Sequence, residues 1–178
     1  PAALPQALEA LPLPATVDQA IRQQLANFPA DTAFSVRSSS TFEDLAAAAF
    51  AGQHDTYLNI SGVDAILDRV RACFASLWQE RAIAYSQQNG FDHLAAAMAV
   101  VVQTMVRCDV AGVGFTINPV SGSLKEMLVN ANFGLAESVV SADGEIDQYV
   151  LDRAGKLISS AIDQKTDRAI ASPPGSPA

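Results

Sequence analysis

Cysteine and histidine are both scarce in this chain of 178 residues, which holds only Cys73, Cys108, His54 and His93. The four share no metal-ligand spacing, which argues against a structural zinc site. Two cysteines 35 positions apart inside apolar segments fit a reducing cytoplasm rather than a disulfide framework. Long apolar runs are also missing. The longest, Leu94 to Val102, is about half of the roughly 18 residues that a membrane-spanning helix needs. No membrane partner is therefore expected, and with no charged leader ahead of an apolar stretch, no secretory signal is expected either. Charged residues make up only 17%, and 19 acidic against 11 basic side chains give a formal charge of -8. That balance argues against a nucleic-acid partner, which needs clustered cations. What the chain does have is 49% apolar residues, enough for one soluble domain with a substantial core.

The two ends read as linkers or cut points. Residues 1–15 place Pro1, Pro5, Pro12 and Pro14 among alanines and leucines, which prevents a long helix across the whole lead-in. Residues 166–178 end in SPPGSPA, a flexible-tail composition. Between them, Thr16 to Phe28 carries Val17, Ala20, Ile21, Leu25 and Phe28 on one helical stripe, and Thr16 with Gln19 has the form of a capping box. Thr32 to Arg37 alternates as a half-buried strand and runs into the hydroxyl cluster Ser38 to Thr41. Asp44 to Ala51 is expected to form a helical turn, and Thr56 to Ile60 a strand. Val63 to Tyr85 repeats apolar residues at helical steps, with Gly90 as its stop. Thereafter strands are expected at Ala95 to Val106, Val110 to Thr116, Glu126 to Asn132, Ile146 to Asp152 and Leu157 to Ile162, with turns at Asp143-Gly144 and Ala154-Gly155. Helices followed by neighbouring hairpins predict an α+β fold.

Several common chemistries are excluded by direct search. The only Gly-Lys pair is Gly155-Lys156, and Val150 stands where a P-loop needs its first glycine. Gly112 and Gly114 lack the third glycine of a dinucleotide fingerprint, because Ile117 occupies that place. No nucleophile elbow supports a Ser/His/Asp hydrolase.

Three segments remain. In FSVRSSSTFED, residues 34–44, Arg37 ends a strand ahead of four hydroxyl residues, so a forked cation and several donors could meet polyphosphate oxygens. The alternative is an arginine paired with Glu43 or Asp44 across a solvated turn. In VVVQTMV, Gln103 is a primary amide in an apolar strand and needs hydrogen-bond partners. Alternation puts Val101, Gln103 and Met105 on one face, which could hold a base edge and its ring, or Gln103 could bond a neighbouring loop's backbone. In FAGQHDT, Gly52 would admit a phosphate close to backbone amides, with Gln53, His54 and Thr56 as further donors, or the segment is a plain turn.

Taken together, VRSSST then ED at 36–44, FAGQHDTYLN at 50–59, ASLWQERAIAYSQQNGFDH at 75–93, VVVQTMV at 100–106, AGVGFTINPVSG at 111–122 and NFGLAESVVS at 132–141 resemble one known domain. It is the nucleotide-binding domain of the phosphoenolpyruvate synthase (pyruvate, water dikinase) family, shared with pyruvate phosphate dikinase and rifampin phosphotransferase. The likeness covers residues 16–165 and implies an incomplete, central portion of an ATP-grasp fold. It implies Arg37 as the catalytic, phosphate-contacting arginine, with Ser38 beside it. It places Gly52, Gln53 and Thr56 in the loop over the phosphates, and Gln103, Met105 and Val106 on the segment that meets adenine. Glu137 matches a further family position. The expected ligands are ATP and Mg2+. The expected partners are a phosphohistidine domain and an acceptor domain outside this chain, so neither His54 nor His93 is the transferring histidine. The family's Gly-Gly-Lys segment should lie upstream, since the lysines present are Lys125, Lys156 and Lys165. Its metal-binding acidic segment and Gln-x-Arg-Pro should lie downstream, so no metal ligand is assigned here. Ser40, Ala49 and Thr104 depart from the family's usual alanine, serine and arginine. The resemblance implies a phosphotransferase that makes phosphoenolpyruvate from pyruvate and ATP. The alternatives are an antibiotic-modifying phosphotransferase or a noncatalytic nucleotide- or partner-binding module.

Overall fold

The computed structural model describes residues 3–41, 44–45, 48–49, 55–90, 92–141, 145–165 and 170. These fall into two compact units that meet in sequence between Met105 and Val106. The first contains helices α1 (Ala3–Glu9), α2 (Ala15–Leu25), α3 (Val63–Ser76) and α4 (Glu80–Gln88), and strands β1 (Phe34–Ser40), β2 (Asp44–Leu45), β3 (Ala48–Ala49), β4 (Thr56–Ile60) and β5 (Met98–Thr104). A 3-10 turn, His93–Ala95, leads into β5. In the second lie β6 (Val110–Phe115), β7 (Glu126–Phe133), α5 (Glu137–Ser141), β8 (Asp147–Asp152) and β9 (Leu157–Ala161). The α+β class stands.

The first unit is organised by β1, the central strand of an antiparallel sheet in the order β4-β1-β5. Successive side chains of a strand point to opposite faces. Phe34 and Val36 accordingly join Leu25, Ile66, Val70 and Cys73 in a buried cluster, with Val100 and Val102 packed against it from β5. Helix α3 covers this face and leaves the other to different uses. Phe28 closes the cluster's edge, its ring edge-on to Phe34 at 5.3 Å between centroids.

Four local expectations are corrected. Helix α2 starts at Ala15 behind Pro14, so Thr16 lies inside the first turn, and no side chain caps the helix. Its hydroxyl is then two residues past the N-cap position, Pro14, that a capping box needs. The helical stripe expected from Val63 to Tyr85 is broken at Leu77–Gln79, where Gln79 is extended. Of the segment Asp44–Ala51, expected as a turn of helix, the described residues form a short antiparallel pair, Asp44 opposite Ala49 and Leu45 opposite Ala48. Alanine's helix propensity is a weak preference, and strand pairing overrides it here. Finally, β1 does not end at Arg37 but continues to Ser40, because Ser38, Ser39 and Ser40 pair with Val100, Ala99 and Met98.

The second unit is a meander of four antiparallel strands in sequence order. Helix α5, unexpected from the sequence, packs against β6 and β7 and buries Val139, while Leu128 of β7 is buried too. The β6–β7 connection is built around Asn118, whose Oδ1 accepts from the amides of Val120 and Ser121 and whose Nδ2 donates to Glu126 at 2.8 Å. Asp152 accepts from the amides of Ala154 and Lys156 and closes the β8–β9 turn as expected. The Asp143-Gly144 turn lies outside the described residues. Gly112 lies where a Cβ would meet the Asn130 carbonyl oxygen at 2.8 Å. Gly112→Ala is expected to destabilise the second unit by about 1–3 kcal/mol through this overlap. Ile66→Ala should cost the first unit about 2–5 kcal/mol as a cavity. Urea unfolding of each variant measures both.

Candidate functional site

Two directly opposed residues in an antiparallel pair share a face. Arg37 is opposite Thr56 on β4 and Val101 on β5, and Ser35 is opposite Gln103. Arg37, Ser39, Thr56, Ala99, Val101 and Gln103 therefore occupy the sheet face turned away from the core, and all six are exposed. Ser35, on the same face, is buried, and its hydroxyl donates to the Gln103 carbonyl.

Across β1 and β5, Arg37 Nη2 donates to Gln103 Oε1 at 3.0 Å. Arginine can only donate, so the amide oxygen must face it and the two N–H bonds of Gln103 point elsewhere. The side chain of Gln103 is thus bonded to another candidate residue rather than to a neighbouring loop's backbone. Among the described side chains Arg37 pairs with no carboxylate, and Glu43 and Asp44, the acids weighed for it, lie outside them. The result is an exposed guanidinium fork beside a half-satisfied amide, with Thr56 on one flank and the apolar surface of Val101 on the other. Such a face supplies donors for an anion and a flat apolar contact beside them.

The other expected residues are distributed differently. Ser38 is on the opposite face from Arg37; its amide and hydroxyl both contact the Asp55 carbonyl, at 3.4 and 3.3 Å. Thr41 Oγ1 donates to the Ala97 carbonyl and accepts from the Ala97 amide, so much of the hydroxyl cluster holds backbone together. Met105 donates its amide to Ala33 and lies just past the end of β5. Val106 is exposed and belongs to the second unit. Gly52, Gln53 and His54 lie outside the described residues. His93 is tied to Ser86 by Nδ1 at 2.8 Å and stacks edge-on against Trp78. Glu137 opens α5 in the second unit.

The sequence reading missed Asp55. Its carboxylate accepts from Gln79 Nε2 at 2.9 Å, from the Tyr57 hydroxyl at 3.1 Å and from Arg81. The only sequence signal was an acid immediately before a strand. Burial, then the neighbouring Asp55 charge, raises the pKa of Tyr57 above its ordinary value. The same two causes push the Cys73 thiol up to about 12.

With this geometry established, comparison places the chain among known proteins. A family model described as pyruvate phosphate dikinase, AMP/ATP-binding domain, matches residues 2–176. The chain belongs to that family. The domain is 44% identical over 153 residues to rifampicin phosphotransferase from Bacillus subtilis, covering 86% of this chain and 18% of the relative. It is 38% identical over 171 residues to a probable phosphoenolpyruvate synthase from Pyrococcus abyssi, covering 93% and 21%. A probable phosphoenolpyruvate synthase from Methanocaldococcus jannaschii is 49% identical over 118 residues, 66% of this chain and 10% of the relative. The domain thus spans about a fifth or less of these curated relatives. No helix among its described residues is long and apolar enough to cross a membrane.

Thiol chemistry tests the buried side of this sheet. Raising the Cys73 pKa leaves almost no thiolate at pH 8, whereas Cys108 is only half-buried. Titration with a disulfide reagent at pH 8 should read about one fast thiol per native chain, and both after denaturation. The contribution of protonated Cys73 is complete below the ordinary thiol range and is lost as pH rises toward about 12, so the urea midpoint should fall on the alkaline side.

Proposed function

We propose that residues 16–165 belong to the central part of an ATP-grasp nucleotide-binding domain, and that the triphosphate lies along the exposed face of β4-β1-β5 in the first unit. The observation that carries this reading is the Arg37–Gln103 pair at 3.0 Å on that face, within an AMP/ATP-binding family domain. Arg37 neutralises phosphoryl oxygens, where a fixed cation stabilises the charge of the transferring group. Thr56 donates from the adjoining strand. Gln103 orients the guanidinium through its oxygen and offers its amide hydrogens to the nucleotide, while Met105 and Val106 continue toward the adenine. Ser38 supports this site from behind, through Asp55, and Gly52 and Gln53, which lie outside the described residues, are proposed as phosphate contacts on the family likeness alone.

Magnesium accompanies ATP in this reading, but the described residues contain no group of three or more His, Cys, Asp or Glu that could hold a metal ion. In the full-length protein, we propose, ATP and pyruvate and water yield phosphoenolpyruvate, AMP and phosphate through a phosphohistidine on another domain. The setting is the cytoplasm. The 44% identity to a rifampicin phosphotransferase supports a second acceptor, rifampicin, equally well. Assaying AMP release by the full-length protein with pyruvate or rifampicin separates the two.

Calorimetric titration of the chain tests the site itself. Arg37→Ala should weaken ATP binding by about 10- to 100-fold, the loss of one charge-assisted hydrogen-bonding group of about 1.5–3 kcal/mol. AMP binding should weaken less. Gln103→Ala should cost about 1 kcal/mol for both nucleotides. Unchanged ATP affinity in Arg37→Ala sinks the assignment.

A further inference from the structure

We infer that Asp55 is a positioning residue for this nucleotide site, acting through Thr56 and Arg37 rather than touching the ligand; the inference rests on the reading above. Asp55 joins four elements. Its backbone carbonyl accepts from the amide and hydroxyl of Ser38, the residue next to Arg37 on β1, and the Cys73 thiol of α3 lies 3.8 Å away. Its carboxylate accepts from Gln79 in the break between α3 and α4, from Arg81 in the first turn of α4 and from Tyr57 on β4. Tyr57 is in turn held under the guanidinium of Arg69, 4.9 Å from the ring centroid. The residue that follows Asp55 is Thr56, directly opposite Arg37.

These contacts leave the carboxylate little capacity for a ligand, and an unpaired carboxylate beside a triphosphate would repel it. Its role is mechanical. Three donors hold the carboxylate, the carboxylate fixes the start of β4, and that start sets the distance between the Thr56 hydroxyl and the Arg37 fork. The broken helix has a place in this arrangement, because the extended residue between α3 and α4, Gln79, is the one whose side chain donates to Asp55.

Electrostatics and positioning predict opposite outcomes for Asp55→Asn, which removes one negative charge near the phosphates. A bystander charge gives unchanged or tighter ATP binding. Positioning gives ATP binding weakened by about tenfold, with adenosine binding within about twofold of the unsubstituted chain, because only the phosphate-facing pair is displaced. Asp55→Glu, which keeps the charge and the acceptors, should recover much of the loss. The measurement is calorimetric titration with ATP and with adenosine, alongside thermal melting. Unchanged or tighter ATP binding overturns the proposal, as does an equal loss for both ligands. If Asp55→Asn does not fold, Tyr57→Phe decides, since it removes one hydroxyl donor and keeps the ring. A selective loss of about two- to threefold for ATP supports positioning, and no selective loss overturns it. Failure of the unsubstituted chain to bind ATP overturns the nucleotide reading itself, and this proposal with it, before any variant is made.

Discussion

The antiparallel pairing of β1 with both of its neighbours governs the first unit. It gives one strand two unrelated duties, because alternate residues face opposite sides. Phe34 and Val36 enter the core, with Val36 fully buried, while Arg37 between Val36 and Ser38 is held out on the other side. A rigid core thus fixes the backbone from which the candidate cation projects. A site built on a strand in this way is held more closely than one built on a free loop.

The same pairing explains why Arg37 and Gln103 act as a unit. They are 66 positions apart in sequence, yet Gln103 is opposite Ser35, two residues from Arg37 along β1. Diagonal neighbours on one sheet face are within reach of long side chains. Slipping β5 by one residue would move Gln103 to the core face and bring Thr104 out in its place, so the pair depends on register. Register is in turn held by Val100 and Val102, which must stay against the core.

Charge in the first unit follows a related logic. Asp55 draws Gln79, Arg81 and Tyr57 to one carboxylate, and its negative charge adds to the effect of burial in raising the pKa of both Tyr57 and Cys73. A buried thiol with so little thiolate is an inert packing group, in keeping with its place beside Val36 and Ile66. The second unit solves its polar groups locally, with Asn118 and Asp152 each satisfying backbone amides within their own loops.

Several features were legible in the residues alone. Period-two alternation marked β1, glycine and aspartate marked the β8–β9 turn, and the order of six segments identified the family later matched over residues 2–176. Each rests on neighbours in sequence, where spacing and turn chemistry act directly. Arg37, Thr56 and Gln103 were each noticed, but as separate candidates with ordinary alternatives. Only the tertiary structure brought them onto one face, turned Ser38 away, broke the long helix at Gln79 and made Asp55 a junction. Those outcomes depend on which distant strands pair and what the core demands of them, and a side chain's partner 66 residues away leaves no periodic trace in its own segment.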